Sequence, residues 1–233
     1  MVAELAQESG AMRPRLAGRA LVVLAVCALH PTAGAFAAAS VTPVATEVPA
    51  GTYQLDPAHA SLIFRVSHLG FSRYTARFTR FDAELRLDPV DPAASSVTAT
   101  IDPSSIETDN RDPSYDFDAQ LRGEPWLDTA RFPQMIFRST EVELTGPDSA
   151  RITGDLELHG ITRPVTLEAT FNGGYASHPL DPFGARIGFS ARGTLLRSAF
   201  GITEGVPPPG SDFGVGDAVE VVIEAEFTRG AEG

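Results

Sequence analysis

Lysine is absent from this chain, and cysteine nearly so. All 18 basic residues are arginine, set against 30 acidic residues for a formal net charge of −12 at pH 7. That balance disfavours nucleic acid and anionic membrane surfaces as partners, since both need a basic face. The one cysteine, Cys27, lies in a short apolar run near the N-terminus. A chain cut after that run has no disulfide and no thiol chemistry, and its domain must be held by its core alone. No apolar run reaches the length of a membrane-spanning helix, so no transmembrane anchor is expected.

The N-terminal residues read as a targeting segment. Arg13, Arg15 and Arg19 precede the apolar run ALVVLAVCAL at residues 20–29, and small residues follow in GAFAAAS. Basic, apolar and small in that order is the pattern of a secretory signal peptide. It is expected over residues 1–39, with cleavage near Ala37 or Ala39 and export to the periplasm. Val26 before Cys27 is not the small residue a lipoprotein signal uses. Removing the leader leaves 15 basic against 28 acidic residues. Residues 40–51, rich in Pro, Thr and Ala, are expected to form a flexible lead-in, with one folded domain over residues 52–229.

From Thr52 onward the dominant pattern is period-two alternation, the mark of strands with one dry face. SLIFRVSH places Leu62, Phe64, Val66 and His68 on one face and Arg65 on the other. TARFTRFDAELRL carries Phe81, Ala83, Leu85 and Leu87 inward, but Phe78 is three residues before Phe81, a slip that suggests a bulge or bend. Six more runs follow, centred on Val97–Ile101, Met135–Phe137, Ile152–Leu158, Val165–Phe171, Ile187–Leu195 and Val219–Phe227. That makes eight, with a short YQLD leading into the first. Six Asp-Pro pairs, Asp56-Pro57 among them, are expected to end strands, because proline cannot donate to a ladder. Helical spacing appears in one place, near residues 114–129, where Phe117 and Leu121 are four apart and Gly123 and Pro125 follow.

Eight alternating strands avoid two exposed edges by closing into an antiparallel barrel. The fold class expected is therefore all-β, an eight-stranded lipocalin-like barrel with a short helical segment. A barrel of that size is filled by its side chains or holds one small ligand. The inward residues mix small and large: Ala83, Ala99, Ala169, Ala191, Gly193 and Ala225 alternate with phenylalanines. That mixture is compatible with a solid core and with an elongated apolar cavity.

Several segments together resemble the YceI-like family of exported polyisoprenoid-binding proteins. They are YQLDPAHASLIFRVSHLGFSRYTARFTRFDAELRLDP, SSVTATIDPSSIET, LDTARFPQMIFRSTEVEL, ITGDLELHGITRPVTLEATFNG and ARIGFSARGTLLRSAFGI. Their order holds from about Tyr53 to Phe227. The resemblance implies a lipocalin-like barrel, dimeric in most members, around a hydrophobic tunnel that takes a polyprenyl chain or the tail of an isoprenoid quinone. It implies no catalytic mechanism and no obligatory cofactor or metal. One segment departs from the family pattern: Gln120 stands where members usually have histidine, Gly123 where they have serine, and residues around 113–115 look inserted. Leu121 and Arg122 keep their places.

The residues expected to meet such a ligand are Phe64, Val66, Phe78, Phe81, Ala99, Phe137, Leu156, Leu158, Phe189 and Ala191 along the walls. Leu121, Arg122 and Trp126 would act from the helical segment, and His68 from the rim. Arg122 is the expected contact for an anionic head group, because its planar fork suits phosphate oxygens. Arg65, Arg73 and Arg77 fall on the wet face. Competing chemistry finds little support. The histidines after the leader, His59, His68, His159 and His178, form no short-spaced pair of the kind that marks a metal site. There is no G-x-S-x-G nucleophile elbow. Asp116, Asp118, Glu124 and Asp128 read as a solvated helix edge. Two other functions remain open on the sequence: a hydrolase-type enzyme acting on a small lipid, and an accessory protein that delivers quinone to a membrane redox partner.

Overall fold

The computed structural model describes residues 48–230. The expected leader at residues 1–39 and most of the lead-in fall outside the described residues. Val48, inside the expected lead-in, is already buried in the core at 8% exposure.

Ten hydrogen-bonded segments follow in chain order: β1 (Gly51–His68), β2 (Ser72–Phe78), β3 (Phe81–Leu87), β4 (Ser96–Ile101), β5 (Ile106–Glu107), β6 (Met135–Leu144), β7 (Ser149–Leu158), β8 (Ile161–Tyr175), β9 (Ala185–Leu196) and β10 (Val215–Arg229). Among the described residues a single α-helix, α1 (Phe117–Arg122), lies between β5 and β6. The sheet runs β10-β9-β8-β7-β6-β4-β3-β1-β2-β5, and β10 pairs again with β1, which closes it. Every pairing is antiparallel.

Ten segments make eight walls, because two walls are bent. Both β2 and β3 pair with β1, β2 with its second half and β3 with its first. Thr79 and Arg80 interrupt them, where the slip between Phe78 and Phe81 stood in the sequence. The neighbouring wall bends beside it: β4 pairs with β3, β5 pairs with β2, and a short 3-10 turn at Pro103–Ser105 joins them. The two bends are stitched together by Thr79 N–H to Ser105 O at 3.1 Å and Asp102 N–H to Arg80 O at 3.0 Å. These bonds satisfy backbone groups that the ladder leaves open.

One sequence expectation is corrected here. Asp56-Pro57 does not end a strand. β1 runs through it, and the register with β10 shifts between Leu55 and Ala60, so that residues 56–59 form an outward bulge. The bulge is where a proline without an N–H is tolerated inside a long strand.

Outward arginines behave as alternation predicts. Arg73 pairs with Glu220 at 2.9 Å, Arg65 lies 3.9 Å from the same carboxylate, and Arg77 reaches Glu107 at 2.6 Å. Inward, two groups of buried side chains occupy the two ends of the barrel. One surrounds Tyr53, Leu55, Ile187 and Phe227. The other surrounds Met135, Phe137, Phe200 and Ile202. Gly154 leaves room for the Phe137 ring against β7, since a Cβ there would collide with that ring.

Candidate functional site

The barrel is not filled. An apolar cavity of about 1130 Å³ runs along its interior. Room exists because small residues face each other across two ladders: Ala83 opposite Ala99 between β3 and β4, and Ala169 opposite Ala191 between β8 and β9. Aromatic rings flank these seams. Phe64 and Phe78 stack with centroids 5.4 Å apart, and Phe171 and Phe189 lie 5.8 Å apart.

Thirteen of the fourteen residues singled out in the sequence line this cavity. Phe64 and Val66 come from β1, Phe78 and Phe81 from either side of the bend, and Ala99 from β4. Phe137 comes from β6, Leu156 and Leu158 from β7, and Phe189 and Ala191 from β9. Leu121 of α1 and Trp126 just beyond it cover one end, and His68 stands exposed at the rim of that same end.

Arg122 is the exception. It does not line the cavity, and its guanidinium points to Asp116 at 3.7 Å. On a helix, neighbours in sequence face about 100° apart. Leu121 is buried against the barrel, which turns Arg122 away. The departure at position 120 has a local partner: Gln120 is exposed, and its side-chain oxygen accepts from the Tyr115 hydroxyl. Gln120 and Tyr115, where the sequence was read as departing from the family pattern, therefore contact each other, and neither lines the cavity.

The two ends of the cavity differ. At the end away from α1 it reaches the surface between the loops at residues 88–95 and 145–148. Val90 and Leu144 line it there while 93% and 52% exposed. At the α1 end, Phe200 and Ile202 are buried at 1% and 4%, and Arg197 beside them is buried at 5%. The Arg197 side chain lines the cavity. It donates to the carbonyls of Gly216 at 2.9 Å, Ile202 at 3.1 Å and Val215 at 2.7 Å. Burial pulls its pKa below the usual arginine value, opposed by the charges of Asp217 and Glu204. The sequence reading missed Arg197. The signal was present, because the inward series of β9, ending at Leu195, continues by twos to residue 197.

A second cluster lies at the β1 bulge, outside the cavity. Arg186 donates to Asp181 at 2.6 Å, Asp56 at 2.7 Å and Glu226 at 2.6 Å. His59 Nδ1 is 2.9 Å from Asp56. The potential ligand atoms of Asp56, His59 and Glu226 lie within 4.8 Å of one another. The cation that balances those carboxylates is the Arg186 guanidinium itself. Its pKa is raised, chiefly by the hydrogen bond to Asp181. The Asp181 carboxyl is held well below the carboxylate range, chiefly by Arg186 and then by the Tyr175 hydroxyl.

Fold and cavity together define an eight-stranded, lipocalin-like antiparallel barrel with an apolar interior. The chain belongs to the YceI-like family: the family model described as the YceI-like domain matches residues 53–227. A UPF0312 protein of Yersinia pestis (strain Pestoides F) is 36% identical over 180 residues, covering 76% of this chain and 86% of that protein. Among solved structures, Burkholderia cenocepacia BcnA aligns with a TM-score of 0.60 at 26% identity, over 74% of this chain and 98% of that one. A polyisoprenoid binding domain from Saccharophagus degradans, implicated in plant cell wall breakdown, aligns with a TM-score of 0.53 over 76% of this chain and 97% of that one. At 14% identity that likeness concerns the fold.

Proposed function

We propose that this protein is an exported carrier that shields a polyisoprenoid lipid or an isoprenoid quinone inside its barrel and moves it through the aqueous periplasm without altering it. The observation that carries this reading is the cavity. It is long, lined almost wholly by aliphatic and aromatic side chains, and open beside Val90 and Leu144. Burying hydrocarbon there is worth roughly 0.8 kcal/mol per CH₂, so a branched tail can bind with few polar contacts. The Saccharophagus domain, described as polyisoprenoid-binding, shares the fold.

Binding without chemistry is part of the reading. His68 stands at the α1 end, while Ser149 and Asp148 line the opposite mouth, so these groups do not converge on one reacting atom as catalysis needs. The homodimer that the family resemblance implies belongs to the same proposal and is checked by light scattering.

The test is extraction of protein purified from its own host, followed by mass spectrometry of the lipid fraction. A co-purified long-chain isoprenoid that stays intact on incubation supports the carrier. Conversion of that lipid on incubation supports an enzyme and overturns it.

A further inference from the structure

Five of the six Asp-Pro pairs in the chain build the same turn. The aspartate carboxylate accepts from the backbone N–H two residues on, at Ala58, Val90, Ser104, Ser114 and Phe183, over 2.8–3.0 Å. The proline between them has a fixed φ, so the turn holds its third residue in place. In three turns that residue is small. In Asp88-Pro89-Val90 and Asp181-Pro182-Phe183 it is a large apolar side chain left in water, 93% and 63% exposed.

Those two turns hang from the same end of the barrel. Leu87, just before the first, pairs with Gly51 at the start of β1. Ala185, just after the second, pairs with Arg229 at the end of β10, and the Arg229 side chain donates to the carbonyl of Ala50 beside Gly51. This is the end at which the cavity opens. Single exposed apolar side chains are ordinary on protein surfaces. Here the apolar lining continues out of the cavity onto Val90 and Leu144. Phe71 and Phe213, exposed towards the α1 end, do not line it.

Charge narrows what covers this end. The loops at residues 88–95, 145–148 and 176–184 carry Asp88, Asp91, Asp148 and Asp181 and no arginine. A second copy seated mouth to mouth would bring these carboxylates against their own counterparts, and like charges facing across an interface are costly. An anionic lipid surface is disfavoured for the same reason. A zwitterionic surface with an apolar layer beneath it meets both the charge and the exposed side chains, as interfacial anchors do.

We propose that this end of the barrel docks on a zwitterionic phospholipid bilayer, with Val90 and Phe183 entering the interface and the mouth set against the membrane. A lipid then passes between bilayer and tunnel without crossing water. This rests on the carrier reading and names the surface with which that carrier exchanges.

The test is sedimentation of the purified protein with phosphatidylcholine vesicles. The parent should sediment with them. Mixing phosphatidylglycerol into the vesicles should weaken binding, and added salt should restore it by screening the repulsion. Val90→Ser combined with Phe183→Ser should weaken binding by about tenfold or more, since two apolar side chains lose their burial. Both positions are exposed, so an unchanged thermal midpoint checks that the variant is folded. Phe71→Ser combined with Phe213→Ser, at the opposite end, should bind vesicles as the parent does. Equal losses in the two double variants, or tighter binding to phosphatidylglycerol, overturn the docking. So does a dimer, seen by light scattering, that dissociates only in the Val90 and Phe183 variant, because a second copy then covers the mouth. A parent that carries extractable lipid but ignores the vesicles removes the docking and leaves the carrier. A parent with neither lipid nor vesicle binding removes both.

Discussion

Ala169 of β8 and Ala191 of β9 are cross-strand partners in the barrel wall, and the cavity passes over both. Two methyl groups occupy a cross-strand pair where larger side chains would close the interior. The pair therefore sets the bore of the tunnel, and Ala83 opposite Ala99 does the same on the β3–β4 wall.

Ala191→Trp places an indole into that bore. Since space is already present, the substitution should not force the rearrangements that overpacking causes in a filled core. The expected outcome is a thermal midpoint within a few degrees of the parent and a loss of more than tenfold in affinity for a long prenyl probe, on the order of several buried methylenes. A short-tailed analogue that stops before the seam should bind as before. Displacement titrations with the two probes check this, and equal affinities for parent and variant would sink the tunnel model.

The exposed ion pairs on the outer wall should matter little. Glu220 receives Arg73 at 2.9 Å and Arg65 at 3.9 Å, but the arginine side chains are 71% and 42% exposed. Surface pairs of this kind contribute roughly 0–1 kcal/mol. Glu220→Gln should therefore leave lipid binding unchanged and shift the melting midpoint by less than about 4 °C. A calorimetric scan gives the answer directly.

Most of the barrel was legible in the sequence, and the particular misses have physical causes. Alternation put Leu62, Phe64 and Val66 inside and Arg65, Arg73 and Arg77 outside, and the slip at Phe78–Phe81 marked a real bend. Arg122 was misplaced because its chemistry was weighed before its helical neighbour Leu121, which takes the inward face. Arg197 was overlooked for the opposite reason. It continues the dry series of β9, but an arginine there contradicts the expectation that charge stays in water, and only its three carbonyl partners make the burial tolerable. The Asp56-Pro57 bulge was unreadable because its stabilising partners, Arg186 and Glu226, come from strands far along the chain.

The Arg186 clamp should make stability depend on acidity. The Asp181 carboxyl is lowered chiefly by its hydrogen bond to Arg186. At Asp56, burial raises the pKa, but hydrogen bonds from Arg186 and His59 outweigh it and the net shift is downward. Carboxylates with folded values below their unfolded ones, near 3.9 in model peptides (about that for Asp), stabilise the fold above that pH. The contribution fades as pH falls through the folded values. Arg186→Met should melt several degrees below the parent at neutral pH, and the gap should narrow when both are melted in acid below the ordinary aspartate range. A gap that stays constant with pH would show that the guanidinium acts by packing alone.

Arg197 should be far more costly to lose than any surface arginine. Its guanidinium satisfies the carbonyls of Val215, Gly216 and Ile202, which tie the start of β10 to the turn after β9. Arg197→Met fills similar space but leaves those acceptors without their donor at a site only 5% exposed. Each unsatisfied buried polar group costs about 1–3 kcal/mol, so a loss of about 3 kcal/mol or more is expected, read as a fall in the denaturant midpoint at constant slope. The strands of the barrel would remain paired, because β9 and β10 are joined along Ala185–Leu196 by their own ladder. The damage should therefore appear first as faster hydrogen exchange at the β10 end near Val215, with protection retained near Phe227. Uniform loss of protection across β10 would mean that Arg197 holds the whole barrel rather than its α1 end.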